Sequence, residues 1–388
     1  VQNQSCNNIS FEFNSAWQAP VLSAFQAIKK QAHEEISGIF DLSMINPDIA
    51  PARILMDKLV EASLKKGQHR YAVARGTNAL RKAFAEKYSV AFQVELNPES
   101  EICVCMGSKD ATLQTLHAVK GDRSVALIAR PAYPAHEAAL NMTGYEVHSF
   151  NQGDDENETL ANLIKVIDTY NPNVVLLNYP NNPTGQMVSS NFWSELGKYL
   201  LNKNTLVIND FVYGEMGYEL KASSALSSNI LKNKAVEIYS LSKAYSVPGW
   251  RVGALVGNSK VVQAVSHRKS YVDYGIFLPI QHASAYALSG KDVKASEVVN
   301  VYKKRADILV KGLQSLGWGV VMPQAGCSVW AKVPDSMPSV GLDIAVELIQ
   351  KKVIAMPGVV FGKDYGKWIR FALVEDEQNL RKIIDLLK

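Results

Sequence analysis

A chain of 388 residues, 47% hydrophobic and 20% charged, is long enough for one large α/β core with a smaller satellite domain, and too apolar to be disordered. Its 41 basic and 37 acidic residues leave a formal net charge of +4 without a run of like charge, which argues against nucleic acid or an acidic membrane surface as partner. No apolar run approaches the roughly 20 residues of a membrane-spanning helix, and the opening VQNQSCNNIS lacks the charged and apolar regions of a signal peptide, so a cytoplasmic protein is expected.

In chain order, a polar arm gives way to a helical pattern from Val21 to about Ile36, with Pro20 near its start and Gly38 near its end. NPDIAP, from Asn46, is a turn-rich entry to the main body. Residues 52–88 read as two helices broken by KKGQHRYAVARGT. From Glu101 onward the short apolar runs ICVCM, VALIA, VVLLN, TLVIN, VEIYSL and GALVG are separated by helical stretches, which predicts a mainly parallel sheet covered on both faces. Functional residues should then gather beyond the strand ends. Cys6, Cys103, Cys105 and Cys327 are too scattered for a disulfide framework and form no metal-ligand spacing, so buried reduced thiols and no metal are expected. Cys103 and Cys105 alternate on one strand and should face the same side.

GSKDA opens a helix directly after ICVCM, which puts the amides of Ser108 and Lys109 at the positive end of the helix dipole, where a phosphate could sit. A plain helix cap accounts for the same residues. Asp210 ends TLVIN, a place where an ionised carboxylate is costly without a partner, although a capping role is the bland alternative. A helix over Val261–Arg268 precedes the loop SYVDYGIFLPIQHA. From about Leu288 a long helix runs through YKKRADILVKGLQSLGW, then strands around Cys327–Lys332 and Trp368–Val374, then a helix over Glu375–Leu387. This reads as a compact α+β domain joined by the first forty or so residues. The expected organisation is residues 1–45 as arm and part of the small domain, 46–287 as large domain and 288–388 as C-terminal small domain. Arg370, on WIRFAL among apolar neighbours, requires an anionic partner, whether a structural carboxylate or a ligand's.

The stretch SLSKAYSVPGWRVG, Ser240 to Gly253, sets Lys243 just beyond an apolar strand, where a lysine must lose its charge or find a partner. Arg251 follows as a planar fork suited to phosphate, with Pro248 and Gly249 setting the turn between. This stretch resembles the lysine signature of the fold-type I, pyridoxal-phosphate-dependent aminotransferases of class I/II. NPDIAP, YAVARGTNALRKAFAEKY at Tyr71, GSKDA at Gly107, PAYP at Pro131, NYPNNPTG at Asn178, NDFVY at Asn209 and WIRFAL at Trp368 fall in that family's order. The resemblance implies that fold, pyridoxal 5'-phosphate as cofactor, and a homodimer with shared active sites.

It also implies roles. Lys243 carries the cofactor and moves the proton. Asp210 pairs with its ring nitrogen, Tyr213 and Asn182 bind its phenolic oxygen, and Tyr133 stacks on its face. Ser108, Lys109, Ser240 and Arg251 hold its phosphate, with Tyr71 reaching in from the partner subunit, and Arg370 binds the substrate's α-carboxylate with help from Asn182. Tyr71 and Tyr133 taken alone are equally ordinary loop and turn tyrosines. Ile45 stands near the substrate where relatives usually carry glycine, and Phe211 where they usually carry glutamate. No arginine lies between Lys269 and His282, where dicarboxylate-specific aspartate aminotransferases of one subgroup carry one.

SYVDYGIFLPIQ, YKKRADILVKGLQSLGW and SVWAKVP resemble the alanine (glutamate-pyruvate) and LL-diaminopimelate aminotransferases. The expected reaction is a ping-pong exchange between alanine or glutamate and pyruvate or 2-oxoglutarate. The alternatives are an LL-diaminopimelate or aspartate aminotransferase, or a carbon–sulfur β-lyase on the same scaffold.

Overall fold

The computed structural model describes residues 19–122 and 124–388, so most of the expected N-terminal arm, with Cys6, lies outside the described residues. Helix α1 (Pro20–Glu35) begins on a proline that has no amide to leave unpaired, and leads into the short strand β1 (Phe40–Leu42). Two helices follow, α2 (Arg53–Ser63) and α3 (Asn78–Phe92), the second capped by the Thr77 hydroxyl, which accepts from the Leu80 amide.

Then strands and helices alternate: β2 (Ile102–Cys105), α4 (Ser108–Val119), β3 (Val125–Arg130), α5 (Pro134–Met142), β4 (Glu146–Asn151), α6 (Glu156–Tyr170), β5 (Val174–Leu177), α7 (Ser190–Leu200), β6 (Leu206–Asp210), β7 (Ala235–Ser240) and β8 (Gly253–Gly257). The strands form one seven-stranded sheet in the order β2-β8-β7-β6-β5-β3-β4. The pairings of β8 with β2 and β7 are antiparallel and the others parallel, so β8 alone runs opposite to the other six strands. Separate apolar clusters cover the two faces, one taking Cys103, Cys105, Ile208 and Ile238, the other Ile102, Val104, Val207 and Tyr239. Burial on both sides explains why these strands read as unbroken apolar runs. Strand β4 escaped that reading because it is the outer edge, with a mostly exposed EVHSFN sequence.

The chain continues through α8 (Ser259–Val272), α9 (Leu278–Leu288), α10 (Ala295–Ser315), β9 (Gly319–Val320), β10 (Ser328–Lys332), α11 (Leu342–Gln350), β11 (Val353–Pro357), β12 (Trp368–Ala372) and α12 (Glu377–Leu387). Helix α8 runs through Tyr271, so the loop expected from Ser270 begins at Asp273. A second sheet has the order β1-β11-β12-β10-β9, with β1 parallel to β11. The α11–β11 unit was not anticipated; β11 is an interior strand and joins the N-terminal strand to the C-terminal ones. Across the chain, Arg305 of α10 grips Asp48 of the NPDIAP turn at 2.6 and 2.7 Å, and Arg305 Nη1 also donates to the Leu373 carbonyl. That fork fixes the turn that carries Ile45 toward the sheet ends.

A buried polar cluster stands behind β6 and β7. Glu237 accepts from Asn209 Nδ2 at 3.0 Å, from the Ser224 hydroxyl at 2.7 Å and from the Ala225 amide at 2.7 Å. Asn209 in turn clasps the backbone of Tyr179, shaping the start of the NYPNNPTG turn that follows β5. Burial pushes the Glu237 carboxyl up to about 7, against the donors that pull it down. Because the folded state holds this proton more tightly than the unfolded state, the stabilisation is complete below the unfolded value and is lost as pH rises through about 7. In Glu237→Gln, urea denaturation across about pH 5 to 8 should lose this decline; an unchanged pH profile would assign it to another group.

Candidate active site

The carboxyl ends of β3, β5, β6 and β7 converge on a cavity of about 450 Å³, closed opposite by α1, the segment after β1, and β12. Ile45, Ser108, Lys109, Tyr133, Asn182, Asp210, Tyr213, Lys243 and Arg370 all line it. Residues far apart in sequence are thus gathered where a parallel sheet ends, because loops leaving adjacent parallel strands emerge on the same edge.

Lys243 follows β7, and its Nζ donates to the Ile45 carbonyl at 2.7 Å. Burial pushes its ammonium below the ordinary lysine range, and the nearby cations Arg370, Arg251 and Lys109 push the same way. Asp210, at the end of β6, is 5% exposed. Its Oδ2 lies 2.8 Å from His136 Nε2, while its Oδ1 is buried without a partner. His136 was missed by sequence reasoning. The available signal was its place in α5, one turn after Tyr133, as the imidazole in an alanine-rich helix whose inner face meets the strand ends. Asn178 was missed too: its amide donates to the Asp210 carbonyl at 2.7 Å, and its Oδ1 accepts from the Asn182 amide at 2.9 Å.

Arg370 is 4% exposed, and no carboxylate among the described residues lies within ion-pair distance of it. Its Nη1 donates to Asn182 Oδ1 at 3.2 Å, its Nη2 to the Ser43 carbonyl at 2.5 Å, and its Nε has no partner. The guanidinium also stands over the Phe361 ring at 5.2 Å. A planar cation held flat with donors to spare is suited to a carboxylate from outside the chain. Tyr213 is buried, and burial pushes its phenol well up, so it stays a hydrogen-bond donor. The Tyr133 ring packs edge-on to His136 at 5.3 Å.

Helix α4 begins after Gly107 with no side chain capping it, so Ser108 and Lys109 offer first-turn amides to the cavity. Arg251 is not in the lining but adjoins this turn. Gly107 has φ +80°, and a Cβ there would stand 2.4 Å from Arg251 Nη2. The Ser240 hydroxyl is turned into the backbone, near the Ser242 hydroxyl at 3.0 Å and the Val252 carbonyl at 3.4 Å, and Ser240 does not line the cavity. Tyr71 also lies elsewhere: it is 84% exposed, its ring 4.9 Å from Tyr274. Phe211, the departure from glutamate, is fully buried against Phe92 at 4.9 Å and belongs to the core.

The fold and this site define a fold-type I aminotransferase. The profile of the family described as aminotransferase class I and II matches residues 38–387, and the chain belongs to that family of pyridoxal-phosphate-dependent transaminases. It is 36% identical over 368 residues to the glutamate-pyruvate aminotransferase AlaC of Escherichia coli K12, covering 93% of this chain and 89% of that protein. To an LL-diaminopimelate aminotransferase of Dehalococcoides mccartyi it is 32% identical over 365 residues, covering 92% and 93%. The apo structure of BacF from Bacillus subtilis superposes with a TM-score of 0.90 at 27% identity, covering 97% of this chain and 98% of that one.

The residues present fit pyridoxal phosphate. The orphaned Asp210 Oδ1 is a buried acceptor without a donor, which a protonated ring nitrogen would satisfy, and the uncapped start of α4 beside Arg251 offers donors to a phosphate. In Gly107→Ala, the new methyl group collides with the Arg251 guanidinium. The variant should bind pyridoxal phosphate about 10-fold or more weakly when the apoprotein is titrated by absorbance. Unaltered affinity would remove Arg251 from the phosphate site.

Proposed function

We propose that this protein binds pyridoxal phosphate on Lys243 and transfers an α-amino group between an L-amino acid, alanine or glutamate, and a 2-keto acid, pyruvate or 2-oxoglutarate, in a ping-pong cycle. The observation that carries the reading is the meeting of Lys243, Asp210 and Arg370 in one cavity. The substrate preference draws on the similarity to AlaC. Residues 46–287 would form the cofactor domain, and residues 1–45 with 288–388 the small domain.

When bound, the cofactor supplies an aldehyde that takes up the amino group and a ring that accepts the electron pair left at the substrate's α-carbon. Each residue then has a task set by its surroundings. Arg370 binds the α-carboxylate through its fork, held in plane by Asn182 and the Ser43 carbonyl. Asp210 would keep the ring nitrogen protonated, its other oxygen already satisfied by His136. Tyr213 would donate to the phenolic oxygen with Asn182 assisting there, and Tyr133 would cover the ring face. The Lys243 amine, made less basic by burial, gives up its proton readily; it would take the proton from the α-carbon as base and deliver it as acid to the carbon that was the cofactor's aldehyde. Ser108, Lys109 and Arg251 would hold the phosphate. Ser240 contributes by shaping the lysine turn through its bond to the Ser242 amide at 3.2 Å. Ile45 narrows the substrate side and holds the Lys243 amine through its carbonyl.

We further infer a homodimer with shared sites. The support is that Tyr71 is exposed and does not line its own chain's cavity, so it would serve the phosphate of a second copy.

The reading is tested by loading the protein with pyridoxal phosphate, reducing it with borohydride and mapping the pyridoxyl mass, which should fall on the peptide carrying Lys243. A label elsewhere would overturn it. Arg370→Lys should raise the amino-acid KM about 10- to 100-fold in steady-state assays, as expected for loss of a charge-assisted bidentate contact. Release of pyruvate and ammonia from cystathionine without a keto acid would identify a β-lyase instead.

A further inference from the structure

One cation in the cavity wall has no task in the reaction above. Lys29, on the face of α1 that covers the cavity, lines it together with Gln26 one turn earlier. Its ammonium donates to Asp41 Oδ2 at 2.6 Å and to the Ser43 hydroxyl at 2.9 Å. An ammonium has three donors, and among the described residues no acceptor is recorded for the third.

The anion that holds Lys29 is well supplied without it. Asp41 also accepts from the Ser43 amide at 2.9 Å and the Ser43 hydroxyl at 2.6 Å, and lies 3.1 Å from His33 Nε2. Burial would raise the Asp41 carboxyl, but the bonds from Lys29, Ser43 and His33 prevail and hold it below its usual range. Ser43 stands between two cations: its carbonyl accepts from Arg370 at 2.5 Å and its hydroxyl accepts from Lys29. The α-carboxylate site and the Lys29 ammonium therefore flank a single residue on one wall. Lys109, another lysine in the lining, sits on the first turn of α4, at the phosphate end.

We propose that Lys29 is the specificity-determining residue for a second carboxylate: its unused donor binds the distal carboxylate of a dicarboxylic keto acid whose first carboxylate is on Arg370. The proposal rests on the aminotransferase reading above. It would let one cavity accept both a dicarboxylate and a short monocarboxylate. With a monocarboxylate, Lys29 stays with Asp41 and Ser43 and no charge is stranded. A buried cation without such a pair would instead penalise the smaller substrate.

The test uses the holoenzyme converted to its pyridoxamine phosphate form, with cofactor absorbance followed in single half-reactions with pyruvate or 2-oxoglutarate. Lys29→Met should raise the apparent Kd for 2-oxoglutarate about 10- to 100-fold and leave that for pyruvate within about 2-fold, with Lys29→Arg recovering most of the loss. Equal losses for both acids would make Lys29 merely structural, and a selective loss that follows Lys109→Met instead would place the subsite at α4; either result overturns the proposal. A wild-type enzyme that converts pyruvate but not 2-oxoglutarate would sink it while leaving the aminotransferase reading intact. Reaction with no keto acid at all would remove both.

Discussion

Arg370 is a buried cation with no anion of its own among the described residues, and much of the architecture follows from keeping it that way. Desolvating a guanidinium costs several kcal/mol unless dipoles replace the lost water. Here the replacements are the Ser43 carbonyl, the Asn182 side chain and the face of Phe361, drawn from the segment after β1, the turn after β5 and the turn after β11. None of these carries a full negative charge, so the site remains attractive to a carboxylate from solution. A structural aspartate in the same place would have stabilised the protein and closed the site.

Asp210 has the complementary arrangement. One oxygen faces His136 and the other is left without a donor, an expensive state for a carboxylate unless a ligand completes it. In the same cavity, burial and the neighbouring cations make the proton of the Lys243 amine easier to remove. The three groups belong to β6, the turn after β7, and β12, so no short segment could have assembled them. Binding would thus replace several unsatisfied contacts together, which couples cofactor and substrate occupancy to the stability of the fold.

The support for these groups lies one layer behind them. Glu237 and Asn209 fix the backbone of Tyr179, and through it the turn that presents Asn182. Glu215, close after Tyr213, accepts from Tyr239 and from Tyr245 at 3.1 Å and pairs with Lys87 at 2.9 Å, joining the Tyr213 segment to the lysine turn. Phe211 fills the space beside this cluster with an aromatic ring. The departure from the family's glutamate therefore falls in the apolar core and outside the cavity lining.

The sequence by itself determined the alternation of strands and helices, the position of Lys243, Asp210 and Arg370 at strand ends or on strands, and the family. These depend on local apolar periodicity and on short motifs whose spacing is set by the backbone. Strand β4 was hidden because an edge strand has one neighbour and a wet face, and β11 because its pairing with β1 spans most of the chain. Only the tertiary structure decided that His136 faces Asp210, that Ser240 turns into the backbone, that Tyr71 stands apart from its own cavity, and that Lys29 lines it. Those facts depend on where a side chain points after distant segments pack, and a pattern of residue types along one strand or helix carries no such information.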